Sequence, residues 1–323
     1  MLRRALRDDL ALTEVAVGTA ALGNLYQETS DDDAAAALAR AWEAGVRYFD
    51  TAPHYGLGLA ERRLGIALAA WPREEVVVST KVGRLLQPRS ASPGDRDPAF
   101  AVPATHDRVW DFSRRGVIAS LESSLQRLGT NAVDIAYLHD PDDHLDIAFA
   151  EGMPALLALR EQGLVRAVGV AMNQVSVPAE FIRRFDIDVV MIAGRYTLLD
   201  RSAETELLPL ARERGIGVVA AAAYNSGLLS ADHFDESARF DYAEPTSAVS
   251  SRARRIYQMC ERFGVPAPAA AVQFPLRNDT VRSVVAGVRT EDEAAALVDR
   301  YRTVVPDELW ARLGATDRTT EDP

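Results

Sequence analysis

Short apolar runs alternate with longer amphipathic stretches along most of the chain. The runs are rich in Val, Ile and Ala and end in glycine or polar residues, as is typical of strands buried on both faces. We predict eight strands, at residues 15–17, 47–49, 76–80, 133–138, 167–170, 189–193, 217–222 and 281–286. The stretches between them have the spacing of helices. We predict helices at residues 31–44, 59–70, 113–128, 153–161, 204–214, 252–263 and 268–274, and one that begins at residue 291.

This alternation predicts a single domain of the α/β class, a parallel (β/α)8 TIM barrel over residues 1–323. Eight strand–helix units fit the length of the chain, and no break in composition marks a second domain. Three segments lie outside the repeat. They are an N-terminal segment (1–12), a proline-containing loop (83–111) that is too long for a simple connection, and a polar tail (315–323). We interpret the loop as a lid or substrate loop.

The composition describes a large, acidic chain with one cysteine. Its 323 residues are 48% hydrophobic and carry a net charge of -11, which argues against a nucleic-acid partner. No apolar run approaches the roughly 20 residues of a membrane-spanning helix, and no apolar stretch follows the basic N-terminus as in a secretion signal. Cys260 alone cannot form a disulfide framework and fits a reducing compartment. We therefore expect a cytoplasmic protein with a small-molecule partner.

Polar residues stand at the ends of three consecutive predicted strands. Asp50, Lys81 and His139 follow strands two, three and four, and Tyr55 lies in the turn just after strand two. Because the carboxyl ends of barrel strands meet at one face, these four side chains are expected to converge there. Any one of them alone is more often structural. Four polar groups at one face are much harder to explain by packing and indicate an active site.

The chemistry that suits these four residues is proton transfer by a tyrosine. Lys81 is the only lysine among 36 basic residues, which suggests that this position requires a compact ammonium group. At about 4 Å and an effective dielectric near 20, an ammonium attracts a phenolate by roughly 4 kcal/mol. We therefore expect Lys81 to lower the pKa of Tyr55, with Asp50 anchoring Lys81 and His139 binding a substrate oxygen. Such a site suits the interconversion of a carbonyl and an alcohol, with hydride carried by a nicotinamide.

Five stretches of the chain resemble the aldo-keto reductases, and the resemblance covers nearly its whole length. They are GVRYFDTAPHYGLG (45–58), STKVGRLL (79–86), LHDPDDH (138–144), AGRYTLLD (193–200) and YNSGLL (224–229). Within this family they are most similar to the bacterial aldose dehydrogenases of the L-fucose (D-threo-aldose) type, with pyridoxal 4-dehydrogenase a near relative. The resemblance implies that Tyr55 is the general acid and base, that Asp50 and Lys81 tune it, and that His139 orients the carbonyl.

The resemblance also implies where a nicotinamide cofactor binds. Tyr224 would stack on the nicotinamide, while Asn225, Ser226, Gly227 and Leu228 would surround the pyrophosphate. The segment from Gly287 to Glu293 would bind the adenosine half, and further contacts would come from Gly18, Thr19, Ala20 and Asp50. This chain has Ala171, Met172 and Ala193 where relatives bind the carboxamide, so Asn173 or Gln174 takes over that role. Arg289 would attract a 2′-phosphate and Glu293 would repel it, so the cofactor is NAD or NADP with a preference for NAD.

For the substrate, we expect an aldose whose cyclic hemiacetal carbon is oxidised to a lactone. His54, Trp110 and Asp111 are the candidate substrate contacts, because a Trp face suits a sugar ring and polar groups suit its hydroxyls. Pyridoxal and open-chain aldehydes or ketones are the alternative substrates. Two further hypotheses are a Schiff-base aldolase that uses Lys81, which an adjacent Asp50 disfavours, and a non-catalytic cofactor-binding subunit. We expect no metal, because paired ligand spacing is absent from the histidines His54, His106, His139, His144 and His233.

Overall fold

The computed structural model describes residues 1–315 except 91, 93 and 242, and at residue 315 the backbone only. The strands within these residues are β1 Arg3–Arg7, β2 Leu10–Thr13, β3 Val15–Gly18, β4 Tyr48–Asp50, β5 Val77–Val82, β6 Arg84–Pro88, β7 His106–Trp110, β8 Ile135–His139, β9 Ala167–Met172, β10 Val189–Ala193, β11 Gly217–Ala221 and β12 Val281–Gly287. The α-helices are α1 Asp31–Glu43, α2 Leu59–Leu68, α3 Arg114–Leu128, α4 Leu145–Ile147, α5 Met153–Glu161, α6 Ser176–Arg184, α7 Leu207–Glu213, α8 Ser247–Arg262, α9 Ala267–Gln273, α10 Glu291–Arg302 and α11 Asp307–Ala315.

Eight parallel strands close into a barrel in the order β3, β4, β5, β8, β9, β10, β11 and β12. The barrel closes where Gly287 of β12 pairs with Gly18 of β3. Helices connect the strands on the outside, so the predicted TIM barrel is confirmed. All eight predicted strands are present, each displaced by at most two residues at either end.

Alternation along the strands divides the core into an inner and an outer part. Tyr48 and Tyr137 point into the barrel, whereas their neighbours Phe49 and Leu138 pack outward against the helices. The N-terminal segment forms an antiparallel hairpin of β1 and β2, which the sequence did not predict. Its residues Leu6, Leu10 and Leu12 join the inner cluster and close one end of the barrel.

Side-chain caps begin several of the helices that surround the barrel. Ser30 accepts a hydrogen bond from the Asp33 N–H before α1, and Thr246 and Thr290 cap α8 and α10 in the same way. The cap at Thr246 starts α8 five residues before the predicted position 252. Three helices, α4, α6 and α11, were not predicted. The predicted polar tail lies outside the described residues, apart from residue 315.

The two ends of the long segment 83–111, where a loop was predicted, form an antiparallel hairpin. Strands β6 and β7 pair antiparallel from Arg84 with Trp110 to Pro88 with His106. The turn between them extends to the loop after β3, where the Ala101 N–H donates to the Asn24 carbonyl at 2.8 Å. The segment therefore lies over the end of β4. Its role as a lid or substrate loop stays a prediction.

Candidate active site

The barrel brings Asp50, Lys81 and His139 together at the ends of three adjacent strands. Asp50 ends β4, Lys81 is the next-to-last residue of β5, and His139 ends β8. Tyr55 follows β4 in a turn. Asp50 and Lys81 are each only 2% exposed, so their charges must be satisfied by the protein.

Lys81 uses all three of its ammonium protons. Nζ donates to Asp50 Oδ2 at 2.6 Å, to the Thr51 carbonyl at 3.0 Å and to Tyr55 Oη at 3.0 Å. Because Lys81 has no lone pair when charged, Tyr55 Oη must accept in this contact. The phenolic proton of Tyr55 is then free to be donated elsewhere. This arrangement is what a general acid requires.

The environment changes the pKa of both members of this contact. Burial alone would lower the pKa of Lys81, but the charge of Asp50 and the hydrogen bonds to Asp50 and Tyr55 raise it above its ordinary value. Burial raises the pKa of Tyr55, and the opposing charge of Lys81 only partly offsets this. The expected lowering of the tyrosine pKa is therefore wrong for this structure. The reason is the cost of placing a phenolate where most of the surrounding water is excluded.

Two uncharged histidines surround the Tyr55 ring. The ring of His139 lies edge-on to Tyr55 with 6.1 Å between centroids, and that of His54 lies 5.8 Å from His139. Burial lowers the pKa of His54 to about 3 and that of His139 well below its ordinary value, and the nearby Arg84 adds to both shifts. Both imidazoles are thus neutral at physiological pH. Nδ1 of each is buried and has no partner among the described residues.

Close backbone packing fixes the position of Tyr55. Gly56 has φ +62°, and a Cβ there would collide with the carbonyl oxygen of Gly23 in the loop after β3. A Cβ on Gly23 would lie 2.7 Å from the carbonyl carbon of Tyr55. Above them, Phe100 of the long hairpin packs against the rings of His54 and Tyr55, with centroids 5.3 and 6.3 Å away. The tyrosine is therefore held between two loops.

Ion pairing fixes the long hairpin in this position. Arg108 of β7 donates to both carboxylate oxygens of Asp97, at 2.5 and 3.1 Å, and to the carbonyl of His54 at 3.2 Å. Asp97 in turn accepts from the backbone N–H groups of Ala99 and Phe100. Such a bidentate, nearly buried pair is geometrically specific. It connects the hairpin to the residue that precedes Tyr55.

A polar cleft of about 550 Å³ opens at the end of β8, where Asp140, the residue after His139, forms part of its lining. Arg84 forms an ion pair with Asp140, and its guanidinium carbon lies 5.6 Å from the centre of the Trp110 ring. The cleft is lined by Arg84, Trp110, Asp140, Asp142, Asp143, His144, Asn173 and Gln174. Three predicted site residues, Trp110, Asn173 and Gln174, therefore lie there.

The sequence analysis missed Arg84, Asp140 and Asp142. All three lie within the stretches STKVGRLL and LHDPDDH, which carried the family resemblance, and that was the only available signal. Asp111, in contrast, is not among the residues that line the cleft. Its carboxylate accepts from the Ser113 N–H at the start of α3, which is a capping contact.

The predicted cofactor residues at the closure of the barrel are close together. Gly18 pairs with Gly287 and Asp50, and the Thr19 hydroxyl donates to the Asp50 carbonyl at 3.0 Å. Arg289 donates through Nη2 to the Leu25 carbonyl at 2.8 Å, while its buried Nη1 has no partner within the described part of the chain. The carboxylate of Glu293 accepts from the Arg289 N–H at 2.7 Å.

The remaining predicted cofactor residues follow β11. Asn225 and Leu228 are buried, and Asn225, Ser226 and Gly227 all have positive φ. Tyr224 packs against the outer core, with its ring centre 5.8 Å from the guanidinium carbon of Arg300. Its edge is partly exposed, and its stacking on a nicotinamide stays a prediction.

Comparison with known proteins identifies the family. Residues 14–318 match the model of the aldo/keto reductase family. The chain is an aldo-keto reductase. It is 44% identical over 308 residues to D-threo-aldose 1-dehydrogenase of a Pseudomonas species, with 94% of each chain covered. It is 37% identical over 330 residues to pyridoxal 4-dehydrogenase of Microbacterium luteolum, with 96% of each covered. An aldo-keto reductase of Bacillus halodurans, solved in its holo form, is 26% identical with a TM-score of 0.75, over 97% of this chain and 95% of that one.

Membership in the family confirms the resemblance recognised in the sequence. This aldo-keto reductase is an oxidoreductase of a family that uses NAD(P)H, so the non-catalytic hypothesis is wrong. The Schiff-base hypothesis is also disfavoured by geometry, because Lys81 is held protonated by Asp50. Among the described residues, no helix is long and apolar enough to cross a membrane.

Proposed function

We propose that this aldo-keto reductase oxidises the hemiacetal carbon of an aldose of the L-fucose type to a lactone. The observation that carries the proposal is the contact of Tyr55 Oη with the Lys81 ammonium, which can stabilise a phenolate and leaves the phenolic proton free. The Tyr55 ring lies against His139, the residue before the cleft-lining Asp140. The name of the relative that is 44% identical supports the choice of an aldose.

The roles of the four residues follow from their contacts. Tyr55 Oη takes the proton of the anomeric hydroxyl, and the Lys81 ammonium stabilises the phenolate from which that transfer starts. Asp50 keeps Lys81 charged and in place. Neutral His139 donates an N–H hydrogen bond to the substrate oxygen. A nicotinamide cofactor, when bound, would supply the hydride acceptor for the anomeric carbon.

The residues at the closure of the barrel fit a dinucleotide cofactor. The unpartnered Nη1 of Arg289 is a cation suited to a phosphate, and the buried Asn225 Oδ1, which also lacks a partner in the described chain, is an acceptor suited to an amide or hydroxyl. We infer a preference for NAD, because the Glu293 carboxylate, beside Arg289 at the start of α10, would repel a 2′-phosphate. Glu293→Gln is expected to raise the kcat/KM ratio of NADP to NAD.

The cleft suits a ring with several hydroxyls. Trp110 is 44% exposed and offers an apolar face for one side of a sugar. Arg84 Nε is a buried donor and Asp142 Oδ1 a buried acceptor, and neither has a partner among the described residues. Buried polar atoms without partners are costly, so ligand hydroxyls would satisfy both.

The test compares an aldose with a lactol that lacks its hydroxyls. L-fucose and 2-hydroxytetrahydropyran share the hemiacetal ring, and propanal represents open-chain aldehydes. We expect kcat/KM to be highest for L-fucose, and Asp142→Asn to lower it by about ten-fold for L-fucose but not for the bare ring. Asp146→Asn, at an exposed carboxylate that does not line the cleft, is the matched control. Reduction of propanal far faster than oxidation of either lactol would contradict the proposal.

Pyridoxal is the second candidate substrate. It also forms an internal hemiacetal, and the relative that is 37% identical bears the name pyridoxal 4-dehydrogenase. The exposed face of Trp110 could stack on its pyridine ring as well as on a sugar. The same assay with pyridoxal decides between the two.

A further inference from the structure

A row of buried hydroxyl groups runs through the barrel interior to the active site. Ser79 Oγ donates to Asp50 Oδ1 at 2.6 Å. Tyr48 Oη lies 3.0 Å from Ser79 Oγ and 3.3 Å from Tyr137 Oη. Ser79, Tyr48 and Tyr137 are all completely buried. We call these three residues the hydroxyl row.

The carboxylate at its end fixes the direction of every hydrogen bond in the row. The Asp50 carboxylate is paired with Lys81 and can only accept hydrogen bonds. The Ser79 hydroxyl must therefore donate its one proton to Asp50 Oδ1. Ser79 Oγ then accepts a hydrogen bond from Tyr48, so the Tyr48 hydroxyl has no proton left to donate to Tyr137. The contact between the two tyrosines must therefore have Tyr137 as its donor. All three hydroxyls point their protons towards Asp50.

Asp50 is thus shared between two sets of donors. Its Oδ1 accepts a hydrogen bond from Ser79 of the hydroxyl row, and its Oδ2 accepts one from Lys81, which also donates to Tyr55. We propose that the hydroxyl row sets the pH range in which Tyr55 exchanges its proton, with Ser79 and Tyr48 as positioning residues. This inference rests on the proposed role of Tyr55 as acid and base.

The direction of the effect follows from the competition for Lys81. Without the Ser79 proton, the negative charge of Asp50 is less compensated and attracts the ammonium more strongly. The hydrogen bond from Lys81 to Tyr55 then weakens, and the phenolate loses stabilisation. Loss of the row should therefore raise the pKa of Tyr55 further.

The other charged or titratable groups around Tyr55 remain in place when the row is altered. Besides Asp50 and Lys81, these groups are His54 in the same turn, His139 and Asp140 at the end of β8, Arg84 of β6, and Arg108 of β7. None of these side chains is hydrogen-bonded to Ser79 or Tyr48 in the described structure. A shift in the pH profile would therefore report on the row itself.

The experiment measures kcat for lactol oxidation across neutral and alkaline pH in wild type, Ser79→Ala and Tyr48→Phe. We expect the rising limb to move to higher pH by about one unit in Ser79→Ala, which is a ten-fold loss at fixed pH that alkali restores. Tyr48 is one hydrogen bond further from Asp50 than Ser79, so Tyr48→Phe should shift the rising limb less. Thr80→Val is the matched control, because the Thr80 hydroxyl faces the other way and donates to Glu61 at 2.9 Å.

Three outcomes would overturn the inference: an unshifted profile in both variants, an equal loss at every pH, or the same shift in Thr80→Val. If Ser79→Ala does not fold, Tyr48→Phe decides the matter alone, because it conserves the ring. Ultraviolet difference titration of Tyr55, with Tyr55→Phe subtracted, gives the same shift without turnover. A wild type that oxidises no lactol would refute the proposed function, while this titration would still test the row.

Discussion

Replacement of Lys81 by methionine removes the ammonium group that donates to the Tyr55 oxygen. At 3.0 Å and an effective dielectric near 20, the attraction between ammonium and phenolate is about 5.5 kcal/mol. Such an attraction corresponds to nearly four pKa units, at about 1.4 kcal/mol each. Since burial already raises the pKa of Tyr55, the variant should contain almost no phenolate at neutral pH. We expect oxidation to slow by about 10³-fold or more.

The same change also leaves Asp50 as a buried, unpaired carboxylate. Removing one partner of a buried ion pair typically costs about 3–5 kcal/mol of stability. The double variant Asp50→Asn with Lys81→Met removes both charges and should recover most of that stability without recovering activity. Comparing the two variants separates loss of the proton-transfer environment from loss of folding.

Lys81→Arg tests whether charge alone is sufficient. The site places three acceptors around a single nitrogen, at 2.6, 3.0 and 3.0 Å, and a planar guanidinium cannot match this geometry. We expect most activity to be lost although the charge remains. The assay is steady-state oxidation of L-fucose at several pH values, with thermal unfolding measured in parallel. Wild-type rates in either Lys81→Arg or Lys81→Met would refute the assigned role of Lys81.

Two further predictions follow from the surroundings of Tyr55. The pKa of Tyr55 is raised above its ordinary value, so the fraction of phenolate, which accepts the proton in oxidation, increases with pH through the alkaline range. The oxidation rate should therefore rise through that range, while the reduction rate, which depends on the phenol, should stay flat and then fall. Parallel pH profiles in both directions check this, and an oxidation maximum near neutrality would contradict it. Gly56→Ala should lower kcat strongly, because the approach of Gly23 and the φ of +62° leave no room for a Cβ, so that Tyr55 must move. Gly129→Ala is the control for backbone strain alone, because Gly129 has a φ of +63° but open space around it.

The convergence of the candidate catalytic residues at strand ends was predictable from sequence because it depends on the topology of the barrel. Once eight strands are placed in one parallel barrel, residues at strand ends such as Asp50, Lys81 and His139 must share a face. The hydroxyl row was not predictable, since Tyr48 and Tyr137 occupy inward positions that an apolar residue would fill equally well. Their polar contacts exist only because β4, β5 and β8 are neighbours.

The elements that were missed depend on pairing rather than on local pattern. The hairpins of β1 with β2 and of β6 with β7 are short, and their strands gain partners only through non-local contacts. Helix α6 has nine residues with Pro178 in its first turn, so apolar residues show helical spacing there over a short stretch only. The direction of the Tyr55 pKa shift was wrong because sequence showed the neighbouring cation but not the extent of burial.

The most direct test of the central claim is the turnover of Tyr55→Phe. The substitution removes only the hydroxyl that accepts from Lys81, and Phe conserves the ring contacts with Phe100 and His139. Oxidation of L-fucose should fall by about 10²- to 10⁴-fold, the usual contribution of a general acid or base, while the Kd of the nicotinamide cofactor measured by fluorescence should stay unchanged. Substantial turnover by a correctly folded Tyr55→Phe protein would contradict the assignment of Tyr55 as the acid and base.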